Sequence, residues 1–165
     1  MHKSGFVNII GNPNVGKSTL MNALVGERLS IITSKAQTTR HRIMGIVSGE
    51  EFQIVYSDTP GILKPAYKLQ ESMMKFVTGA VSDADVILYV TDTVEQGDRS
   101  AEIVGQIRQS GIPTIVVINK IDLPAADPER TKTEIEDIIG IPAMDAPEIS
   151  AKTCINIHSV LEMIV

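Results

Sequence analysis

Short apolar runs alternate with stretches of helical periodicity along the whole chain. Apolar runs predict five strands and a short sixth one, at Phe6–Ile10, Ile43–Ser48, Glu51–Asp58, Val86–Thr91, Thr114–Asn119 and a segment reaching Ile149. Helical spacing of apolar residues predicts helices at Lys17–Val25, Leu69–Val81, Ala101–Gln109, Thr131–Ile139 and Ile155–Val165. Because strands and helices alternate, the pattern indicates an α/β fold built on a parallel sheet.

The two central runs, residues 86–90 and 115–118, are almost continuously apolar, which is typical of parallel strands covered on both faces. The strand ending at Ser48 forms a hairpin with the next one and is therefore antiparallel. We expect one domain over residues 1–165, with a six-stranded mostly parallel sheet and helices on both faces. Residues 27–42 are polar and lack a period, so they predict a long loop, a kind of segment that is often functional.

Composition narrows the class of protein. The chain has 165 residues, 43% of them hydrophobic, and no apolar run reaches the roughly 18 residues that a membrane span needs. The N-terminus runs directly into a strand, so we expect no signal peptide. One cysteine, Cys154, excludes an internal disulfide and fits a reducing compartment. With a net charge of −5, the domain is poorly suited to clamp nucleic acid, and we expect a cytoplasmic monomer without a membrane partner.

Residues 11–18, the phosphate loop, fit the pattern G-x-x-x-x-G-K-[ST] between a predicted strand and a predicted helix. Glycines let successive backbone N–H groups point at an anion, and the helix adds its positive N-terminal end. Lys17 is expected on the β- and γ-phosphates and Ser18 on Mg²⁺. The predicted phosphate-binding residues are Asn12, Pro13, Asn14, Val15, Gly16, Lys17, Ser18 and Thr19.

A second string, Asp58 to Gly61, follows another strand end. The Asp58 carboxylate can hold Mg²⁺ through water, and the Gly61 amide can meet the γ-phosphate. The loop at residues 27–42 then has to complete the Mg²⁺ shell, with Thr38 and Thr39 as the candidates. The residues alone do not rank these two threonines.

Two further strand ends carry polar strings that suit a purine base. Within residues 119–122, the base loop, the Asp122 carboxylate can accept two hydrogen bonds from guanine, an arrangement that adenine does not offer. Asn119 can support the loop or the purine N7, and Lys120 can lie against the base. In residues 150–152, the second base loop, the Ala151 N–H can bind guanine O6 between Ser150 and Lys152. After a phosphate loop, these strings predict guanine nucleotide binding; an ATPase or nucleotide kinase is the competing interpretation.

These strings resemble the Ras-like GTPase superfamily, and residues 1 to about 110 resemble the Era family of ribosome-assembly GTPases. The resemblance rests on GNPNVGKSTL at residues 11–20, KAQTTRHR at 35–42 and DTPGI at 58–62. It implies Thr39 rather than Thr38 as the Mg²⁺ ligand beside Ser18 and Asp58. The implied catalytic residues are Lys17, Thr39 and Gly61.

The C-terminal third resembles instead the GTPase domain of the LepA translation factors. The strings are NKIDLPAADPER at 119–130, EIEDIIGI at 134–141 and ISAKT at 149–153. One hypothesis is a mosaic, natural or engineered, with a junction between about residues 92 and 118; the other is a divergent Era-like domain. Cys154 stands where the resemblance implies glycine, which strains the turn if φ is positive. The RNA-binding KH domain of Era has no room here, so a ribosome or rRNA partner is implied by family resemblance only.

The expected activity is slow GTP hydrolysis to GDP and phosphate. Ile62 stands where Ras carries a water-orienting glutamine, so we expect turnover near that of unaided Ras, about 10⁻⁴–10⁻³ s⁻¹. K⁺ held by Asn14 is a hypothesis for compensation. Arg40 and Arg42 are either arginine fingers or, as we favour, part of a solvated loop. The alternative function is a guanine-nucleotide-binding scaffold with negligible turnover.

Overall fold

A computed structural model describes residues 2–30, 39–94 and 101–165, without the side chain of Ala101. The described strands are β1 Lys3–Ile10, β2 Ile43–Ser48, β3 Phe52–Asp58, β4 Val86–Asp92 and β5 Thr114–Asn119. The described helices are α1 Lys17–Val25, α2 Lys68–Ser82, α3 Ala101–Ser110, α4 Pro128–Glu134 with a π-helical turn at Ile135–Ile139, and α5 Ile157–Ile164. None of these helices is long and apolar enough to cross a bilayer.

The sheet has the strand order β2-β3-β1-β4-β5, and among these described strands only the β2–β3 pair is antiparallel. The predicted mostly parallel sheet with one antiparallel strand is therefore confirmed for these five strands. Register pairs Ile9 with Asp58 and Asp92 with Asn119, so the carboxyl ends of four strands meet at one edge. Open α/β sheets place their ligands at such an edge.

Helices cover both faces of the sheet, as the continuous apolar runs predict. In β4, Ile87 and Tyr89 belong to a buried cluster that includes residues of α2 and α3. Leu88 and Val90 face the other way, into a cluster with residues of α1 and α5. All four side chains are fully buried or nearly so, which explains why this strand has no polar face.

The predicted sixth strand is wrong among the described residues. The segment beside β5 makes one isolated parallel bridge, Ile118 to Glu148. Pro147 has no N–H to donate to a ladder, and Ser150 is already paired with Ile155 in an antiparallel bridge. Within the described part of the chain, the sheet therefore has five strands rather than six, although the short bridge still brings Ser150 to the edge where the other strands end.

The turn after Ser150 carries backbone strain at Cys154. Its φ is 58°, in the left-handed region that favours glycine. The strain expected from finding cysteine at this position is therefore confirmed. Asn156, which precedes α5, has a φ of 56°, a conformation that asparagine tolerates better than cysteine.

Candidate functional site

The phosphate loop connects β1 to α1 in a conformation that turns backbone N–H groups inward. Asn14 has a φ of 63° and Gly16 a φ of 97°, so two of its residues are left-handed. Successive N–H groups in such a loop form an anion-binding concavity. Helix α1 begins directly afterwards at Lys17, and no side chain caps its N-terminus. The loop and the helix end together provide donors suited to phosphate.

Close packing explains why glycine occupies the key positions around this loop. A Cβ at Gly11 would collide with the Val90 carbonyl, and one at Gly16 would collide with the Asn119 side-chain amide. A Cβ at Gly61 would lie 2.7 Å from the Pro13 Cα. The segment containing Gly61 therefore touches the phosphate loop.

Lys17 lies over the loop that it is predicted to serve. Its side chain is buried, and Nζ donates a hydrogen bond to the Asn12 carbonyl at 2.6 Å. This contact places the ammonium group across the mouth of the concavity, where it adds positive charge to the N–H donors. The predicted role of Lys17 as a phosphate ligand is consistent with this position.

Three predicted metal ligands come together although they are far apart in sequence. The Ser18 hydroxyl donates to Asp58 Oδ2 at 2.6 Å. Thr39 Oγ1 lies 3.2 Å from Ser18 Oγ and 3.5 Å from Asp58 Oδ2. Thr38 lies outside the described residues, so only Thr39 can be placed at this cluster.

The electrostatics of Asp58 suit a cation. Burial raises the pKa of this carboxyl above its ordinary value, although the Ser18 hydrogen bond and the charge of Lys17 act in the opposite direction. Its Oδ1 is buried and has no hydrogen-bond partner within residues 2–30, 39–94 and 101–165. A buried acceptor without a donor is unfavourable, and a hard divalent cation would satisfy it. The donor set of one carboxylate and two hydroxyls fits Mg²⁺.

Asn119 joins the phosphate loop to the second base loop. Its side-chain Nδ2 donates to the Val15 carbonyl at 3.0 Å, and its Oδ1 accepts from the Ala151 N–H at 2.9 Å. Asn119 therefore supports the loops, one of its two predicted roles. Ala151 differs from expectation, because the N–H predicted for guanine O6 already donates to this amide.

The other base-site residues lie around the same edge. Lys120 reaches back to the phosphate loop, where Nζ donates to the Asn14 carbonyl at 2.6 Å. Asp122 and Lys152 are exposed, and Ser150 is fully buried with its hydroxyl accepting from the Thr153 N–H at 3.3 Å. The protein therefore does not bury Asp122 by itself, and its carboxylate is open to a ligand from solvent.

Ile62 points away from the phosphate side. It is 4% exposed and packs in the cluster beneath α2, while its N–H donates to the Gly11 carbonyl at 3.0 Å. A hydrocarbon that is buried in the core has no means of orienting a water molecule. The structure thus gives this position a packing role.

Arg42 is neither an arginine finger nor part of a solvated loop, so both interpretations of it are wrong. Its guanidinium forms an ion pair with Asp83 at 2.6 Å and donates to Ser57 Oγ at 3.0 Å. The reason is a network of polar side chains beside the sheet. Asn8 belongs to this network because its side-chain amide also donates to Asp83, at 2.7 Å. Arg40 is exposed, as expected for a loop residue.

Sequence reasoning missed Asp92, which lies beside the base loop at the end of β4. Its carboxylate forms a 2.5 Å ion pair with Lys120. The signal available in the sequence was a strand ending in aspartate next to the strand that ends in Asn119. No motif contains Asp92, so the sequence pattern does not single it out.

Comparison with known proteins shows similarity over most of the chain. The sequence model of a family described as 50S ribosome-binding GTPase matches residues 6–120. GTPase Era of Clostridium perfringens is 44% identical over 137 residues, which is 82% of this chain and 46% of that protein. GTPase Era of Clostridioides difficile is 51% identical over 125 residues, 74% of this chain and 41% of that protein. The chain spans about half the length, or less, of the curated relatives it matches.

Solved structures extend the similarity to nearly the whole fold. A crystal structure of Era in complex with MgGDPNP and nucleotides 1506–1542 of 16S ribosomal RNA has a TM-score of 0.90 at 39% identity. It covers 99% of this chain, which in turn covers 56% of that one. A crystal structure of an Aquifex aeolicus Era variant, bound to GDP.AlF4⁻, has a TM-score of 0.85 at 38% identity, with 98% of this chain and 56% of that one covered.

Proposed function

The chain belongs to the family of 50S ribosome-binding GTPases, and from that premise we propose that its site binds Mg²⁺-GTP and slowly hydrolyses it to GDP and phosphate. The observation that carries the proposal is the pair of hydrogen bonds by which the Asn119 side chain donates to the Val15 carbonyl and accepts from the Ala151 N–H. These bonds hold the phosphate loop and the second base loop against each other. One nucleotide can therefore be held at both ends.

The phosphate end relies on this chain's own donors. The inward N–H groups of the phosphate loop and the N-terminus of α1 bind the phosphates, and Lys17 adds charge over them. The amide of Gly61, where an added Cβ would collide with Pro13, is our proposed donor to the γ-phosphate. Most catalysis in phosphoryl transfer comes from such positioning and charge stabilisation.

Ser18, Thr39 and Asp58 would hold Mg²⁺. Their clustered oxygens and the buried, unsatisfied Asp58 Oδ1 support this assignment. When bound, the ion neutralises negative charge on the β- and γ-phosphates. We propose Thr39 as the ligand from the loop at residues 27–42, and we propose that residues 59–70 change conformation with it between the GTP and GDP states.

Slow turnover follows from the absence of a polar side chain at Ile62. We propose a rate of about 10⁻⁴–10⁻³ s⁻¹, the order known for Ras without an activating partner.

K⁺ bound at Asn14 would raise that rate by adding positive charge near the phosphates. Asn14 is exposed and left-handed, and its carbonyl is engaged by Lys120, which leaves its side chain as the candidate ligand. Equal single-turnover rates in K⁺ and Na⁺ would contradict a role for K⁺.

The base end gives guanine specificity through Asp122. Because this carboxylate is exposed, the base itself has to bury it on binding. We propose that Asn119 orients the loops and that the Lys120 stem lies on the base, with Ser150 and Lys152 lining the second base loop. The Ala151 N–H already donates to Asn119 Oδ1, so we propose that it donates to guanine O6 as a donor shared between the two oxygens.

Two measurements test this function. Asp122→Asn should move the preference from guanine towards xanthine, because only a residue that reads the base changes the choice of base; an ATPase or nucleotide kinase would not respond. Phosphate release from bound GTP, measured under single-turnover conditions, tests the hydrolysis. Complete release within hours supports a GTPase. Release no faster than from free GTP, despite tight binding, favours a scaffold with negligible turnover.

The mosaic hypothesis remains relevant to that scaffold alternative. An Era-like half and a LepA-like half, joined between about residues 92 and 118, would have to meet accurately to form a working site. The Asn119–Val15 hydrogen bond crosses such a junction at 3.0 Å, which supports a site in register.

We propose that the partner of these residues is a guanine nucleotide and that the domain acts as a cytoplasmic monomer. The Era structure with 16S rRNA suggests a ribosomal partner for that protein. For these 165 residues, whose net charge is −5, we expect no rRNA binding at physiological salt. A filter-binding assay with a 16S rRNA fragment tests this.

A further inference from the structure

Asp92 is a nearly buried carboxylate that the proposed mechanism does not use. Its side chain is 5% exposed, and Oδ2 lies 2.5 Å from Lys120 Nζ. The other oxygen, Oδ1, accepts from the Val94 N–H at 3.1 Å. With both oxygens engaged, the carboxylate is fixed in position and is not available to move towards a ligand.

Lys120 is held from two sides by these contacts. The ammonium group that pairs with Asp92 also donates to the Asn14 carbonyl of the phosphate loop at 2.6 Å. The backbone of Lys120 has a φ of 61°, an unfavourable conformation for a residue with a Cβ. Such a conformation persists only when surrounding contacts enforce it. The ion pair with Asp92 is one of the contacts that do so here.

Lys120 connects Asn119 to the turn that carries Asp122, so its orientation sets the geometry of the base loop. Asp92 and Asn119 are register partners in β4 and β5. We infer that Asp92 is a positioning residue for guanine recognition, which acts through Lys120 without touching the nucleotide. This inference rests on the proposed function, because it concerns how that same site recognises its base.

The choice of nucleotide distinguishes positioning from simple structural support. IDP lacks the 2-amino group of GDP, so it loses one of the two hydrogen bonds to Asp122. The ratio of GDP to IDP affinity therefore reports the geometry of the base loop. An ion pair that only stabilises the fold would leave this ratio unchanged while altering the unfolding temperature.

The experiment measures equilibrium binding of GDP and IDP, with Mg²⁺ present, to the wild type and to Asp92→Asn and Asp92→Glu. The second variant keeps the charge but displaces it by one methylene group, and it decides the test if the first does not fold. Asp85→Asn is the matched control, since Asp85 is exposed and directly precedes the opposite end of the same strand. We expect GDP binding to weaken about tenfold and the GDP-to-IDP ratio to fall, with the control unchanged.

A Lys120→Gln background gives the second arm. Because Asp92 acts through Lys120, adding Asp92→Asn to Lys120→Gln should weaken GDP binding no further. A wild-type GDP-to-IDP ratio in every folded Asp92 variant would overturn the inference, as would fully additive losses in the double variant. Failure of the wild type to bind GDP would instead overturn the proposed function, so the two failures are distinguishable.

Discussion

Replacing Asn119 by alanine removes the side chain that joins the phosphate loop to the second base loop. The change leaves two buried partners unsatisfied, the Val15 carbonyl and the Ala151 N–H, whose residues are 1% and 3% exposed. Each unsatisfied buried group costs about 1–3 kcal/mol, so the free energy of unfolding should fall by about 2–6 kcal/mol. At about 2–4 °C per kcal/mol for a domain of this size, the melting temperature should drop by at least about 4 °C.

Thermal and urea unfolding in nucleotide-free buffer, followed by circular dichroism, measure this loss. Gln53→Ala is a matched control, because it also removes a side-chain amide, but one that is exposed and donates to Ser48 Oγ at 3.1 Å. The control should remain within about 0.5 kcal/mol of the wild type. If Asn119→Ala unfolds within about 1 °C of the wild type, the bridge between the loops does not carry the energy assigned to it here.

Three further variants test separate parts of the structure. Cys154→Gly should stabilise the fold by up to about 1 kcal/mol, because φ is 58° there; an unchanged or lower urea midpoint would refute the strain. Asp58→Asn should melt no lower than the wild type in EDTA, because the raised pKa of Asp58 reflects an unfavourable buried charge. The same variant should lose the Mg²⁺ dependence of GTP affinity, and retained dependence would refute the metal role. Desolvation raises the pKa of Asp83, but the hydrogen bond and charge of Arg42 outweigh this effect and lower the pKa overall. Ionised Asp83 therefore stabilises the fold above about pH 4, and this stability is lost as the pH falls further. Asp83→Asn should therefore melt lower than the wild type at pH 7, and this difference should shrink as the pH falls below about 4; a difference that does not depend on pH would contradict the ion pair.

Local patterns were sufficient to predict the strands and helices that build the site. The apolar run of β4 has no polar face because helices cover both sides of the sheet, so its pattern identifies a central parallel strand. The phosphate loop could be recognised because its glycines are required at fixed spacings by close contacts with Val90 and Asn119. In both cases the constraint comes from distant neighbours, but it leaves a local pattern, either an uninterrupted apolar run or glycines at fixed spacings.

Features that depend on distant partners could not be predicted in this way. Arg42 is largely buried against Asp83, Ser57 and Asn8, which come from three different parts of the chain, and no local pattern indicates that network. The sequence predicts that the Ala151 N–H donates to the base. The competing acceptor, the side-chain oxygen of Asn119, lies on another strand, so no local pattern indicates it.

The prediction of a sixth strand was wrong for a different reason. Its apolar residues fit a strand, but Pro147 lacks an N–H, and the pairing of Ser150 with Ile155 ends the segment after one bridge. The proline was visible in the sequence and should have lowered the expectation of a full strand.

Competition binding against fluorescent GDP in Mg²⁺ buffer, with unlabelled GDP, GTP and ATP as competitors, tests the central claim most directly. The bidentate contact to Asp122 predicts that GDP and GTP displace the label at stoichiometric levels. ATP should require about 10⁴-fold higher concentrations. Failure of the labelled GDP to bind, or displacement by ATP as effective as that by GTP, would contradict the assignment of this site to guanine nucleotides.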